Sequence, residues 1–166
     1  MSQRVQIIIR YLFVVISGTL LHFAYEYSNQ NLFVGFFSPI NESVWEHLKL
    51  IFFPMLLLTI WDYFSDPTKI KAIIPSRVAG IIAGFTFIIV IHYTVSGIIG
   101  KDIAWIDILI FLLAVAYAFL TEKKVSINKN YTNATSATII LLVLVILFVI
   151  FTITPPVLGI FISKAN

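Results

Sequence analysis

The chain has 166 residues, of which 60% are hydrophobic and only 11% charged, with a net charge of +3. Soluble domains carry about 45–50% apolar and about 25% charged residues, so a globular fold free in water is excluded. The absence of cysteine excludes disulfides, zinc–thiolate sites and thiol catalysis, and basic residues dispersed between apolar stretches exclude a nucleic-acid-binding face.

Five apolar stretches follow in chain order, at about 7–27, 44–64, 78–99, 103–120 and 137–162. Each is near the ~20 residues that carry a helix across a ~30 Å hydrocarbon core. Helix is the required state, because an open strand would leave backbone groups unsatisfied in lipid. The expected fold is an all-α integral membrane bundle of about five transmembrane helices, one domain over residues 1–166 in the cell membrane. Arg4, Arg10 and the apolar run after them have the outline of a signal peptide. No small-x-small site follows, since the next residues are His22, Phe23 and Ala24, so the first helix is expected to stay.

Basic residues orient the chain. Arg4, Arg10, Lys69, Lys71, Arg77, Lys123, Lys124 and Lys129 fall on one side of the spans, whereas Lys101 and Lys164 fall on the other. The positive-inside rule then predicts a cytoplasmic N-terminus. Asp66-Pro67 is expected to end the second helix and Pro75-Ser76 to precede the third.

With that orientation, the polar residues inside the spans gather in one outer layer. His22 and Glu26 lie near the outer end of the first span, and Asn41, Glu42, Ser43, Glu46, His47 and Lys49 at the start of the second. His92 lies in the third, Asp107 in the fourth, and Thr152, Thr154, Pro155 and Pro156 in the fifth. The inner halves read as almost purely apolar apart from Arg10 and Asp62. His22 and Glu26 share a helix face at i, i+4, and Gly80, Gly84 and His92 form another stripe, suited to close approach of a neighbouring helix. A plain reading exists for each residue. Ser43 to Glu46 fits a capping box, Glu46 and Lys49 fit an i, i+3 ion pair, and Trp45, Trp105, Tyr25 and Tyr27 fit interfacial aromatics.

The segment FFSPINESVWEHLKLIFFP, Phe36 to Pro54, resembles an uncharacterised family of small bacterial membrane proteins with an NES-x-WEH signature. LHFAYEYS, Leu21 to Ser28, is similar to that family's first-helix element, and Thr154-Pro155-Pro156 to its closing one. The resemblance implies a location in the membrane and a motif, but no activity. The chain departs from the family's pattern after the two prolines, where it continues as VLGIFISKAN.

Two functional classes are open. In the first, His22, His47 and His92 are nitrogen ligands of a divalent metal such as zinc, with Glu26 or Glu46 as ligand or general base; the protein is then a metal-binding protein or a membrane-embedded hydrolase. In the second, the chain is a non-enzymatic transporter or accessory subunit, and the polar cluster of Glu26, Asn41, Glu42, Ser43, Glu46 and Lys49 is structural. The lipid bilayer is the common partner, with a membrane-protein partner or a second copy as the further one.

Overall fold

The structure is a computed structural model that describes residues 3–127 and 133–163. Among the described residues it is all helix with no strand. The elements are α1 (Gln3–Tyr27), α2 (Leu32–Gly35), α3 (Val44–Ser65), α4 (Ile70–Ile99), α5 (Ala104–Ile127) and α6 (Ala134–Ile153), followed by a 3₁₀ turn (Gly159–Phe161). Five of them, all but α2, are long and apolar enough to cross a membrane. The chain therefore passes up and down the bundle. One end, here the near end, gathers the start of α1, the α3–α4 junction and the close of α5. The far end gathers the close of α1, the loop around α2, the α4–α5 junction and the tail.

Helix α3 is the central strut. Leu48, Ile51, Phe52 and Met55 on it are at most 1% exposed. A helix this apolar all round belongs inside the bundle rather than at its rim. Truncating such a residue, for example Phe52→Ala, costs about 3–5 kcal/mol by the cavity it leaves. Pro54 lies inside α3 and has no N–H to give to the carbonyl of Leu50. Helix α1 comes in close at that carbonyl: a Cβ on Gly18 would lie 2.5 Å from the Leu50 oxygen and 2.8 Å from the Phe111 ring. Gly80 and Gly84 form the seam between α4 and α5. A Cβ on Gly80 would meet the Ala118 carbonyl at 2.8 Å, and Gly84 rests on Ala118 and Ile51. Small residues on both faces let two backbones approach, and packing then replaces the hydrophobic drive that lipid cannot supply.

Two boundaries differ notably from the sequence reading. Helix α4 starts at Ile70 and runs through Pro75, which stands only five residues from its start, where the helix is near the bundle's end and a lost backbone bond is cheap. Helix α6 stops at Ile153 rather than at 162, because Pro155 and Pro156 cannot continue it. Its tail folds back as the 3₁₀ turn, and Phe161 stacks 4.9 Å from Trp45, which also meets Phe148 and Phe151. Trp45 is thus an internal packing residue rather than an interfacial one, whereas Trp105 and Tyr27 are exposed at 66% and 87%. Lys129 and Lys164, which enter the charge asymmetry, lie outside the described residues.

The near end is not apolar, contrary to the sequence expectation. Arg77, expected in a loop, is fully buried on α4. Its guanidinium donates to Asp62 of α3 at 2.9 Å and to the Met55 carbonyl at 3.0 Å, and its Nε stands 3.0 Å from Glu122 of α5. Arg10 of α1 completes the group with a two-pronged contact to Asp62. Two cations and two carboxylates thus tie four helices, each charge facing an opposite one, which is the condition for keeping charge out of water.

Candidate functional site

The far end is organised by one buried lysine. Lys49 is fully buried on α3, and its ammonium donates to the Gly35 carbonyl at 2.7 Å, the Ser38 carbonyl at 3.3 Å, Glu46 at 2.6 Å and the Thr152 hydroxyl at 2.7 Å. That single group fastens the loop of residues 28–43 and helix α6 to α3. Ser38 continues the fastening, donating to the Leu21 carbonyl at 2.5 Å and accepting from the Tyr25 N–H at 3.1 Å. Glu46 is 2% exposed and also accepts from the Ile40 N–H at 2.9 Å. Its carboxylate is thus engaged on the loop side, by the Lys49 ammonium and the Ile40 N–H. Ser43 caps α3 through the Glu46 N–H, but the reciprocal half of a capping box is absent, because the Ser43 N–H goes to Asn41 at 2.9 Å.

The fastened loop delivers Glu42 to the neighbourhood of His47, one turn further along α3, and of His22 on α1. One ligand atom from each of His22, Glu42 and His47 lies within 4.8 Å of the other two, the one such group among the described residues. The rings of His22 and His47 are 5.2 Å apart. His47 Nδ1 stands 2.9 Å from the Ser43 carbonyl, which can only accept, so Nδ1 carries a proton. His47 Nε2 then faces Glu42 at 3.3 Å. A neutral imidazole would point its lone pair at a carboxylate there. The contact is favourable only with a cation between or on the two groups, either a proton or a metal ion. Glu42 responds to that neighbour: the hydrogen bond with His47 holds its carboxyl below the ordinary carboxylate range. His22 Nδ1 is buried and has no hydrogen-bond partner.

His92 does not join that group. Its Nδ1 is 2.8 Å from Asp107 and its Nε2 is 3.8 Å from Asp102, so the ring sits between two carboxylates. Both sets of residues nevertheless line one partly open cavity of about 500 Å³, bordered by α1, α3, α4, α5 and the tail at Gly159 and Ile162. Glu26, the other expected acid, is exposed at the end of α1 and outside the group. Asn41 and Lys49 serve the loop, as described.

The sequence reading missed Asp102, although its position was a clue. Only four residues separate α4 from α5, so an acid there cannot leave the far end. Gly100 makes that turn possible, with φ at 78° and its N–H closing on the Ser96 carbonyl at 2.8 Å. Arg77 and Glu122 were missed because Pro75 read as a boundary and residues 121–127 as a loop.

The fold and the cavity define a class: an all-helical bundle of the multi-pass membrane type, with a His- and carboxylate-lined chamber at one end. The whole chain, residues 1–166, matches the family of unknown function DUF6512, and the chain belongs to that family. No curated protein and no solved structure matches it.

Proposed function

We propose that this chain is a cell-membrane protein, with its N-terminus cytoplasmic and its far end in the outer leaflet, that binds a divalent metal of the zinc type through His22, His47 and Glu42. The observation that carries the reading is His47, whose Nδ1 proton is committed to the Ser43 carbonyl while Nε2 faces the Glu42 carboxylate. A backbone carbonyl on the remote nitrogen is the usual way a metal-binding histidine is held in register. The distances suit an ion. Ligands at about 2.0–2.2 Å in tetrahedral array lie about 3.4 Å apart, close to the 3.3 Å between His47 and Glu42. His22 adds a further imidazole to the group, and its Nδ1 has no hydrogen-bond partner to give up. Separations of up to 4.8 Å within the group ask the side chains to close by at most about 1.4 Å.

Three protein ligands would leave a fourth position open, as in catalytic rather than structural zinc sites, and all three residues line the cavity. A bound ion there would activate water or polarise a carbonyl, and hydrolysis is the reaction class that follows. His92, held by Asp107, is the nearby residue suited to accepting a proton. The opposing reading is a non-enzymatic transporter or accessory subunit in which His47 is an imidazolium paired with Glu42.

Metal analysis of the purified protein separates the two. The metal reading expects one equivalent of zinc after loading and dialysis, lost in His22→Ala and His47→Ala and kept in Glu26→Gln. Protein that folds but retains no zinc, and whose thermal midpoint is insensitive to zinc, overturns it in favour of the ion pair.

A further inference from the structure

The cavity has two ends and an open side. Its buried wall is apolar and includes Leu50, Ile88 and Ile110, which are 4–7% exposed and so touch nothing outside the bundle. Its rim is different. Thr19 on α1 and Ile108 on α5 line the cavity and are themselves exposed. An opening between these two apolar helices would lie on the face a bilayer covers and so would meet lipid. The polar end holds the carboxylates Glu42, Asp102 and Asp107 and the three imidazoles, and no lysine or arginine lines the cavity. A divalent ion would offset two of those three carboxylates. With or without it, the polar end disfavours an anion.

We infer that the cavity receives a single-chain lipid from the bilayer, with its acyl chain against Leu50, Ile88 and Ile110 and an uncharged, hydroxylated head at the polar end. The head carries both kinds of atom that end can use: hydroxyl protons for the carboxylates around His92, and oxygen lone pairs for the metal. A volume of about 500 Å³ lies within the usual range of ligand pockets and holds one chain rather than two. The inference takes the proposed metal site as the head-group end, but the path of the chain does not require metal to be bound.

Photolabelling of the full chain in lipid nanodiscs tests it, with a monoacylglycerol and a free fatty acid that each carry a diazirine on the acyl chain. The expected result is adducts on Leu50, Ile88 or Ile110, about tenfold stronger with the monoacylglycerol than with the fatty acid, from repulsion of the carboxylate at the polar end. Thr19→Trp, which fills the mouth, should remove most of these adducts. Leu12→Trp, on the exposed face of the same helix, should not. Adducts confined to outward residues such as Leu142 and Ile146, unchanged by Thr19→Trp, would overturn the chain site. Equal or stronger labelling by the fatty acid would overturn the head-group assignment. Zinc content measured on the same samples keeps the outcomes apart, since adducts without zinc refute the metal reading and zinc without adducts refutes this one.

Discussion

The two ends of the bundle both bury ionisable groups, and they do so in opposite ways. At the near end, Arg10, Asp62, Arg77 and Glu122 form a closed set in which charges balance and each faces an opposite one. At the far end, Lys49 and Glu46 are closed in the same manner. Beside them, however, three carboxylates and three imidazoles line a cavity that no lysine or arginine lines. Buried polar atoms outside hydrogen bonds occur at both ends, His22 Nδ1 at the far one and Arg77 Nε and Glu122 Oε2 at the near one. Burying ionisable groups is costly in either place. A closed set recovers the cost in the folded chain alone. A set without a fixed cation would recover it more fully when an ion binds, and under the proposed function that asymmetry separates the structural charges of this protein from its functional ones.

The largest effect expected is at the near end. Arg77→Ala leaves Glu122 and part of Asp62 buried without a partner and should destabilise the protein by about 3–5 kcal/mol. Thermal unfolding in detergent reads this, and zinc should not restore it. A variant as stable as the wild type would mean that water reaches this network and that the two ends are not so different.

The second effect is at the far end and depends on ligand. Zinc at about a hundred times its dissociation constant should raise wild-type stability by about 2.7 kcal/mol and leave His47→Ala unmoved. Without zinc, His47→Ala should change stability far less than Arg77→Ala does. A large loss in the zinc-free variant would make the far end another structural network.

Acidification sharpens the same contrast. Metal ligation needs unprotonated imidazoles, and histidine ordinarily titrates near 6.5, so each unit of pH below that lowers zinc affinity about tenfold per histidine. Glu42 behaves differently. Its carboxyl is held below the ordinary range by His47, so its contact is present at neutral pH and is lost only as pH falls through that lowered value. Zinc should therefore leave between about pH 6.5 and 5 while the fold persists, with a protonated His47 taking the place of the metal beside Glu42. Coincident loss of zinc and of helical signal would contradict this order.

The smallest effect is at His92. Asp107→Asn should cost about 0.5–1.5 kcal/mol or less, because the side chain is partly exposed and His92 keeps Asp102 nearby. Zinc content should stay unchanged, since His92 is not one of the three ligands.

Much of this was legible in the sequence, for identifiable reasons. Membrane-spanning helices are set by continuous apolar length, which a linear reading measures directly. Counting along those helices put His22, His47 and His92 toward one end of the bundle, and all three line one cavity. What counting could not supply was rotation and loop path. Glu46 was a candidate for the site because it shares the depth of His47 at the start of its span, yet it turns to Lys49 and the Ile40 N–H. Glu42 reads as a helix-end residue until the loop, held by Lys49 and Ser38, carries it to His47. His92 appeared equivalent to the other histidines because depth alone ranks them together, whereas Asp107, fifteen residues on across a tight turn, takes its nitrogen. The near-end network was hidden for another reason: a proline that ends helices in water stood one turn inside α4.

X-ray absorption at the zinc edge of the loaded protein, in the same detergent, tests the central claim most directly. The account predicts a four-coordinate spectrum with two imidazoles and a carboxylate oxygen at about 2.0–2.2 Å, and loss of one imidazole contribution in His22→Ala. A six-coordinate spectrum of oxygen ligands alone, identical in wild type and His22→Ala, would contradict it.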